Sequence, residues 1–151
     1  MSTHLPALAF AGIGLMGLPM TQRLLAAGYP LSVWNRSPDK CAPLQALGAQ
    51  AVASPAQLCA QADIVMLCLA NTEVVREVVF GPGGIVETAK PGQLLLDFSS
   101  LEPAATREMA AELHARCGMH WVDAPVSGGT PGAANGTLAI MAGRRVEDIE
   151  R

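Results

Sequence analysis

Short apolar runs alternate along the chain with longer segments whose apolar residues have the spacing typical of helices. The clearest run, residues 64–69, is apolar throughout, as expected of a parallel strand buried on both faces. Because strand-like and helix-like segments alternate, the pattern predicts an α/β fold with an open, doubly wound, mostly parallel sheet and helices on both faces. The predicted strands are residues 8–10, 31–34, 50–52, 64–69, 94–97, 121–123 and 138–142.

Turn-forming and helix-capping residues set the limits of the predicted helices. Gly28 ends the first helix, Ser37 and Pro38 begin the second, Ser54 caps the third and Asn71 caps the fourth. The predicted helices are therefore residues 16–27, 38–47, 55–62, 72–80 and 103–116, with a further helix beginning at 146, and residues 124–136 are predicted to be a loop.

Three glycines follow the first predicted strand with the spacing Gly12-x-Gly14-x-x-Gly17. This spacing is the fingerprint of a strand–turn–helix unit that holds the pyrophosphate of a dinucleotide. Gly12 would allow the tight turn, Gly14 would let a phosphate approach the backbone, and Gly17 would let the helix pack closely on the sheet. The following helix would direct its free N–H groups and positive dipole end at the phosphates. The sequence therefore predicts a Rossmann-like dinucleotide-binding domain, with a glycine turn that binds no ligand as the alternative.

The residues after the second predicted strand bear on which dinucleotide binds. NAD-binding units usually carry an acidic residue here, about 20 positions after the glycines, which bonds the ribose hydroxyls. This chain has Asn35, Arg36 and Ser37 instead. A cation and two neutral polar groups suit a 2′-phosphate, which a carboxylate would repel. The sequence therefore favours NADP, unless Arg36 is an ordinary solvated loop residue.

Polar segments also follow later strands, at the edge of the sheet where ligands of such folds bind. They include Asn71 and Thr72 after the fourth strand and Ser99 and Ser100 after the fifth. The most unusual segment follows the sixth strand and contains Ser127, Gly128 and Gly129. A hydroxyl beside several backbone N–H groups could form a nest for a carboxylate. The alternative is an ordinary surface loop, because loops rich in Gly and Pro are common.

Composition excludes several other classes of function. The 151 residues are 50% apolar and 15% charged with a net charge of −3, which favours one globular domain and gives no reason to expect nucleic acid. The four cysteines have no metal-ligand spacing, so we expect no metal, and reduced thiols in a cytoplasmic protein. We expect no signal peptide and no membrane partner, because basic residues do not precede the first apolar stretch and no apolar run is long enough to cross a membrane.

Three motifs together resemble the N-terminal domain of the β-hydroxyacid dehydrogenase family, which includes 3-hydroxyisobutyrate dehydrogenase and tartronate semialdehyde reductase. They are residues 12–20, residues 97–100 and residues 123–141. The resemblance implies NADP as cofactor, with NAD as second choice, and hydride transfer to or from a small hydroxy acid or semialdehyde. It implies that the substrate carboxylate contacts Ser127, Gly128 and Gly129. It implies cofactor contacts from Gly12, Ile13, Gly14, Leu15, Met16, Gly17, Asn35, Arg36, Ser37, Leu69, Ala70, Asn71 and Ser100.

One departure from the family pattern concerns catalysis. The family's acid–base residue is a lysine in a Gly-x-x-x-Lys-x-x-x-Asn pattern, and neither Lys40 nor Lys90 matches it. The resemblance therefore implies a catalytic lysine beyond Arg151 and no catalytic residue within this chain. The family's helical second domain, which closes the cleft and builds the dimer, also has no counterpart here. Residues 1–151 are expected to be the dinucleotide-binding domain of a longer homo-oligomeric enzyme, cut before its last helix, with a non-catalytic NADP-binding module as the alternative.

Other chemistries fit the residues less well. Short-chain dehydrogenases need Tyr-x-x-x-Lys, but Val33 stands four positions after Tyr29, the only tyrosine. A hydrolase built on Ser127 would need Gly-x-Ser-x-Gly, whereas the sequence there is Pro-Val-Ser-Gly-Gly. A zinc alcohol dehydrogenase would need Cys and His ligands, and the three histidines do not cluster with cysteines.

Overall fold

The structure is a computed structural model, and it describes residues 4–141. Its central sheet consists of β1 (Leu8–Ala11), β2 (Leu31–Trp34), β3 (Gln50–Ala51), β4 (Ile64–Leu67), β5 (Leu94–Asp97) and β6 (His120–Asp123). The strands lie in the order β3-β2-β1-β4-β5-β6, and each neighbouring pair is parallel. This arrangement confirms the predicted doubly wound parallel sheet.

Helices connect the strands on both faces of the sheet, and two begin at predicted caps. Ser54 Oγ accepts a hydrogen bond from the Gln57 N–H at 3.1 Å, and Asn71 Oδ1 accepts one from the Val74 N–H at 2.9 Å. Caps of this kind typically stabilise a helix by about 1 kcal/mol. The helices of the described part are α1 (Gly17–Ala26), α2 (Ala42–Gln45), α3 (Pro55–Ala60), α4 (Thr72–Phe80), α5 (Pro103–Cys117) and α6 (Gly129–Asn135).

Alternate residues of the central strands pack into two apolar cores on opposite faces of the sheet. In β1, Ala9 and Ala11 belong to the core that also contains Trp121 and residues of α3, α4 and α5. Leu8 and Phe10 belong to the other core, which is covered by α1 and α2. Burying a side chain such as Phe10 contributes about 1.5–3 kcal/mol. Because both faces are covered, the strands read as continuous apolar runs rather than alternating ones.

The prediction of a loop over residues 124–136 is wrong. This segment contains a short strand, β7 (Val126–Ser127), followed by α6. Helix α6 packs against α1, with Gly132 and Ala133 buried. A Cβ at Gly132 would crowd Leu138, and one at Gly136, just beyond α6, would overlap the Arg23 side chain of α1. Packing therefore overrides the low helix propensity of glycine and proline on which the prediction rested.

The strand predicted at residues 138–142 is present but shorter, as β8 (Ala139–Ile140). It does not extend the main sheet, because it pairs antiparallel with β7 in a separate two-stranded sheet. Three predictions fall outside the described residues. They are the end of the seventh strand at residue 142, the helix beginning at residue 146, and the catalytic lysine expected beyond Arg151.

The single helix predicted over residues 38–47 is instead a 3-10 turn (Pro38–Cys41) followed by the four residues of α2. Pro43 lies within the first turn of α2, and its ring and missing N–H prevent one continuous helix through this point. Ser37 has the extended backbone of a cap residue, but its side chain makes no capping hydrogen bond. The other predicted helices and strands agree with the observed bounds to within two residues at each end.

Candidate functional site

The strand order reverses between β1 and β4, because the chain winds outward from these two strands in opposite directions. Ligands of open α/β sheets bind at such a switch point, outside the carboxyl ends of the strands. A cleft of about 910 Å³ opens here, which is within the size range of small-molecule and cofactor sites. Predicted cofactor residues in its lining are Gly12, Gly14, Asn35, Arg36, Leu69 and Ala70.

Seven further residues predicted to contact a cofactor do not contribute to this lining. Ile13 is buried, whereas the side chain of Leu15 is 85% exposed. Asn71 caps α4, and Ser100 is exposed just beyond β5. The remaining three are Met16 and Gly17 at the start of α1 and Ser37 beyond β2.

The three glycines of the motif meet different requirements. Gly12 has a φ of +103°, and a Cβ there would overlap the carbonyl oxygen of Cys68. A Cβ at Gly17 would overlap the carbonyl oxygen of Gly12, so α1 can approach β1 this closely only with glycine. Gly14 differs, because a Cβ there would meet no atom within 4 Å. The packing of the protein therefore does not require glycine at position 14, whereas a ligand approaching the backbone from the cleft would.

Helix α1 begins beside this glycine loop without a capping side chain. Met16 occupies the cap position and accepts no hydrogen bond through its side chain, and the first turn contains no acidic residue. The helix dipole makes this end positive. In the first turn the Leu18 N–H donates to the Gly14 carbonyl oxygen at 3.0 Å and Pro19 has no N–H, so an anion would meet the N–H groups before Leu18. The start of α1 is therefore suited to an anion such as a phosphate.

The side chain of Asn35 joins the glycine loop to the segment after β2. Its Oδ1 accepts a hydrogen bond from the Ile13 N–H at 2.9 Å, and its Nδ2 donates to the Ser37 carbonyl oxygen at 3.0 Å. The Ile13 N–H is thus engaged within the protein. Asn35 positions the loop, a role that the sequence pattern did not indicate.

Arg36 supplies a cation at the cleft, but a carboxylate pairs with it. Arg36 Nη2 lies 2.9 Å from Glu77 Oε2 of α4, and the two side chains are 70% and 65% exposed. Both residues line the cleft. Glu77 is not predictable from the sequence, because no local pattern marks a residue 41 positions after Arg36 as its neighbour.

Ser99 fixes the backbone just beyond β4, where it forms a wall of the cleft. The Leu69 N–H donates to Ser99 Oγ at 2.8 Å, and the Ser99 N–H donates to Asp97 Oδ1 at 2.9 Å. Ser99 is buried, whereas its neighbour Ser100 is exposed. Ser99 was predicted to lie at the ligand-binding edge, but its structural role was not predicted. Its spacing of two from Asp97, which puts both on one face of an extended segment, is the signal that could have indicated that role.

Asp97 is fully buried at the end of β5, and its Oδ2 has no hydrogen-bond partner among the described residues. Burial raises the pKa of Asp97 to about 6, hydrogen bonds from Ser99 oppose the rise, and the carboxylate of Asp123 adds to it. Burial also raises the pKa of Cys68 to about 11, with a smaller contribution from Asp97. The Cys68 thiol in the cleft lining is therefore neutral at pH 7 and is not a nucleophile.

The predicted substrate residues lie at the start of α6, outside the lining of the cleft. Ser127 ends β7 and is exposed. Gly128, with a φ of +136°, occupies the cap position of α6, and Gly129 is the first residue of that helix. The structure therefore places these three residues together at the junction of β7 and α6, and α6 packs against α1.

Metal and lysine chemistry have no evident place in the described part of the chain. Among residues 4–141, no group of three or more His, Cys, Asp or Glu side chains is placed to hold a metal ion. Lys40 lies in the 3-10 turn after β2 and Lys90 precedes β5, and neither lines the cleft.

No helix within residues 4–141 is both long enough and apolar enough to cross a membrane.

The parallel sheet, the switch-point cleft and the glycine loop at the start of α1 define a dinucleotide-binding domain. A family model described as the NAD binding domain of 6-phosphogluconate dehydrogenase matches residues 7–151. The chain belongs to this family, and its relatives confirm the resemblance to the β-hydroxyacid dehydrogenases. One relative, the mitochondrial 3-hydroxyisobutyrate dehydrogenase of Homo sapiens, is 40% identical over 139 residues, which are 92% of this chain and 41% of that protein.

Two solved structures extend this likeness to three dimensions. The 3-hydroxyisobutyrate dehydrogenase of Mycobacterium tuberculosis with L-serine has a TM-score of 0.90 and 33% identity, covering 97% of this chain and 49% of that chain. Psf3 in complex with NADP+ and 2-OPP has a TM-score of 0.90 and 30% identity, covering 95% of this chain and 51% of that chain. The chain thus spans about half the length of the relatives that it matches.

Proposed function

We propose that this chain binds NADP(H) in the switch-point cleft and forms the cofactor-binding part of an oxidoreductase acting on a small hydroxy acid or semialdehyde. When bound, the nicotinamide cofactor supplies or accepts the hydride. One observation carries the proposal: the packing of the protein explains glycine at positions 12 and 17 but not at Gly14, where open space faces the cleft. A phosphate that must approach the backbone explains Gly14.

Each part of the cleft has a role in this proposal. The backbone at Gly14 and the uncapped start of α1 bind the pyrophosphate. Arg36, with Ser37 beside it, binds the 2′-phosphate, while Asn35 holds the loop between them. Residues 69–71 and Ser100 form the side of the site beyond β4 and β5, where Ser99 fixes the backbone of Leu69.

The substrate class is proposed from the relatives. We propose 2-hydroxy-3-oxopropionate or 3-hydroxyisobutyrate, with the carboxylate held by the Ser127 hydroxyl and the N–H groups of Gly128 and Gly129. The activity named for the human relative supports this class, as does the L-serine of the M. tuberculosis structure, itself a small 3-hydroxy acid. We further propose a cytoplasmic protein, since the four cysteines are all free thiols. That it is a homo-oligomer at full length is proposed from the family resemblance alone.

The proposal is tested by the variant Gly14→Val. A branched side chain would stand where the phosphate approaches, so we expect NADPH to bind about ten- to a hundredfold more weakly, as for the loss of a charge-assisted contact. The melting temperature should stay close to that of the unmodified chain, because a Cβ at Gly14 meets nothing. Titration of NADPH fluorescence measures the first quantity and circular dichroism the second.

The control is Gly17→Ala, which should show the opposite pattern. Its Cβ would overlap the Gly12 carbonyl oxygen, so the variant should lose stability before any ligand is added. Unchanged NADPH binding by Gly14→Val would contradict the proposed function.

A second function, NADP binding without catalysis, is favoured by one observation. Neither Lys40 nor Lys90 lines the cleft, so this chain presents no lysine there to donate a proton to a carbonyl oxygen. In the proposed enzyme, the acid–base lysine is supplied from beyond Arg151.

A further inference from the structure

Arg36 and Glu77 face each other across the cleft at the switch point. Arg36 follows β2, Glu77 lies on α4, and the two residues are 41 positions apart in the chain. They meet through one contact, Arg36 Nη2 to Glu77 Oε2, at 2.9 Å. The pair therefore connects two walls of the cleft, the segment after β2 and helix α4, which are distant in the sequence.

These two side chains carry the charge of the cleft. Of the described residues that line it, Arg36 is the cation and Glu77 the anion, and the rest are uncharged. With the pair formed, the lining has no net charge. A 2′-phosphate that reaches Arg36 therefore also meets the Glu77 carboxylate, which repels it and bonds the same guanidinium.

We infer that Glu77 is a specificity-determining residue, which lowers the preference for NADP by competing with the 2′-phosphate for Arg36. This inference rests on the proposed NADP-binding function. A free ribose diol carries no charge and does not compete for the guanidinium, so Glu77 does not oppose NAD in the same way. The carboxylate that lowers the preference for NADP thus lies on α4. In most dinucleotide-binding domains the acidic residue that affects this preference lies at the end of β2.

Exposure of the pair sets the size of the effect. Both side chains are at least 65% exposed, so water and salt screen the contact and the fold does not depend on it. Breaking an exposed ion pair such as Arg36–Glu77 changes a binding constant by up to about fivefold. Removing the repulsion between the Glu77 carboxylate and the 2′-phosphate adds to this change. We therefore expect a change in affinity of roughly three- to tenfold at low salt.

The test is Glu77→Gln, which keeps the shape of the side chain and removes its charge. NADPH should bind roughly three- to tenfold more tightly, and NADH affinity should change by less than about twofold. Raising the salt concentration to about 0.5 M should reduce the gain. In an Arg36→Leu background the same change should give a smaller gain in NADPH affinity, because the competition for the guanidinium is gone and only the repulsion remains.

Glu73→Gln is the matched control, since Glu73 is an exposed residue one turn earlier on α4 and does not line the cleft. It should leave the ratio of NADPH and NADH affinities unchanged. Unchanged or weaker NADPH binding by Glu77→Gln, or an equal gain for NADH, would overturn the inference. Gly14→Val, titrated in parallel, separates the two proposals. If that variant loses NADPH binding while Glu77→Gln has no effect, only the inference fails.

Discussion

At the scale of single residues, the site contains polar groups that act on the protein itself as well as groups free to meet a ligand. Asn35 accepts a hydrogen bond from the Ile13 N–H, and Ser99 accepts one from the Leu69 N–H. Each therefore holds in place a segment that is predicted to contact the cofactor. The sequence correctly predicted that positions 12 and 17 need glycine, because the spacing of the Gly-x-Gly-x-x-Gly motif encodes this requirement directly. It did not predict the hydrogen bond of Ser99 or the presence of Glu77 in the cleft, because their partners are set by which strands and helices become neighbours.

One prediction at this scale concerns Asp97 and pH. Its pKa rises from 3.8 to about 6 on folding, so between these values the folded state binds more protons than the unfolded state. The contribution of Asp97 to stability is therefore most favourable below pH 3.8, falls as the pH rises to about 6, and is then constant. The total fall corresponds to about 3 kcal/mol, at about 1.4 kcal/mol per pKa unit.

The variant Asp97→Asn isolates this contribution, since it removes the ionisable group and keeps an oxygen that can accept the Ser99 N–H. The free energy of unfolding of the unmodified chain, minus that of Asp97→Asn, should decrease as the pH rises from about 4 to 7. Urea denaturation at several pH values measures this difference. Parallel pH profiles for the two proteins would show that Asp97 does not titrate as described.

At the scale of elements, helices were predicted correctly from the sequence where local hydrogen bonds fix their ends. They were not predicted where packing against distant segments determines whether a helix forms. The caps Ser54 and Asn71 marked α3 and α4 because their hydrogen bonds are made within four residues. Helix α6 was not predicted because glycine and proline disfavour helices. The neighbours that require small residues there, Leu138 and the Arg23 side chain of α1, are known only from the folded structure. Pro43, by contrast, is a local signal for the break before α2 that the prediction did not use.

The prediction at this scale concerns the link between the ends of β4 and β5. Ser99→Ala would leave the Leu69 N–H without its acceptor, so we expect a loss of about 1–3 kcal/mol in the free energy of unfolding. NADPH should also bind more weakly, because Leu69 lines the cleft. The matched control Ser100→Ala removes an exposed hydroxyl and should change stability by less than about 0.5 kcal/mol. Equal effects of the two substitutions on stability would contradict the role given to Ser99.

At the scale of the whole molecule, residues 4–141 form one main sheet with a cofactor cleft but bring no lysine to it. Enzymes of this kind need a group that moves a proton as hydride is transferred, and such groups contribute about 10²–10⁴-fold to the rate. The sequence predicted the dinucleotide-binding fold correctly, because the glycine motif and the alternation of strands and helices encode it. The catalytic lysine beyond Arg151 and the substrate role of the residues on α6 remain predictions.

The corresponding experiment is an activity assay of the 151-residue chain. We expect it to bind NADPH and to show no enzymatic rate of NADPH oxidation with tartronate semialdehyde, measured as loss of absorbance. Oxidation at an enzymatic rate that is abolished by Lys40→Ala or Lys90→Ala would instead place the acid–base group within this chain.

The position of β1 at the centre of the sheet has a consequence for how the chain is made. β1 lies between β2 and β4 in the folded sheet, and β4 is synthesised well after β2. Until β4 is made, one edge of this apolar strand has no partner in the chain, and such open edges pair readily with other chains. The central strand that anchors the glycine loop is therefore open to aggregation while translation proceeds from β2 to β4.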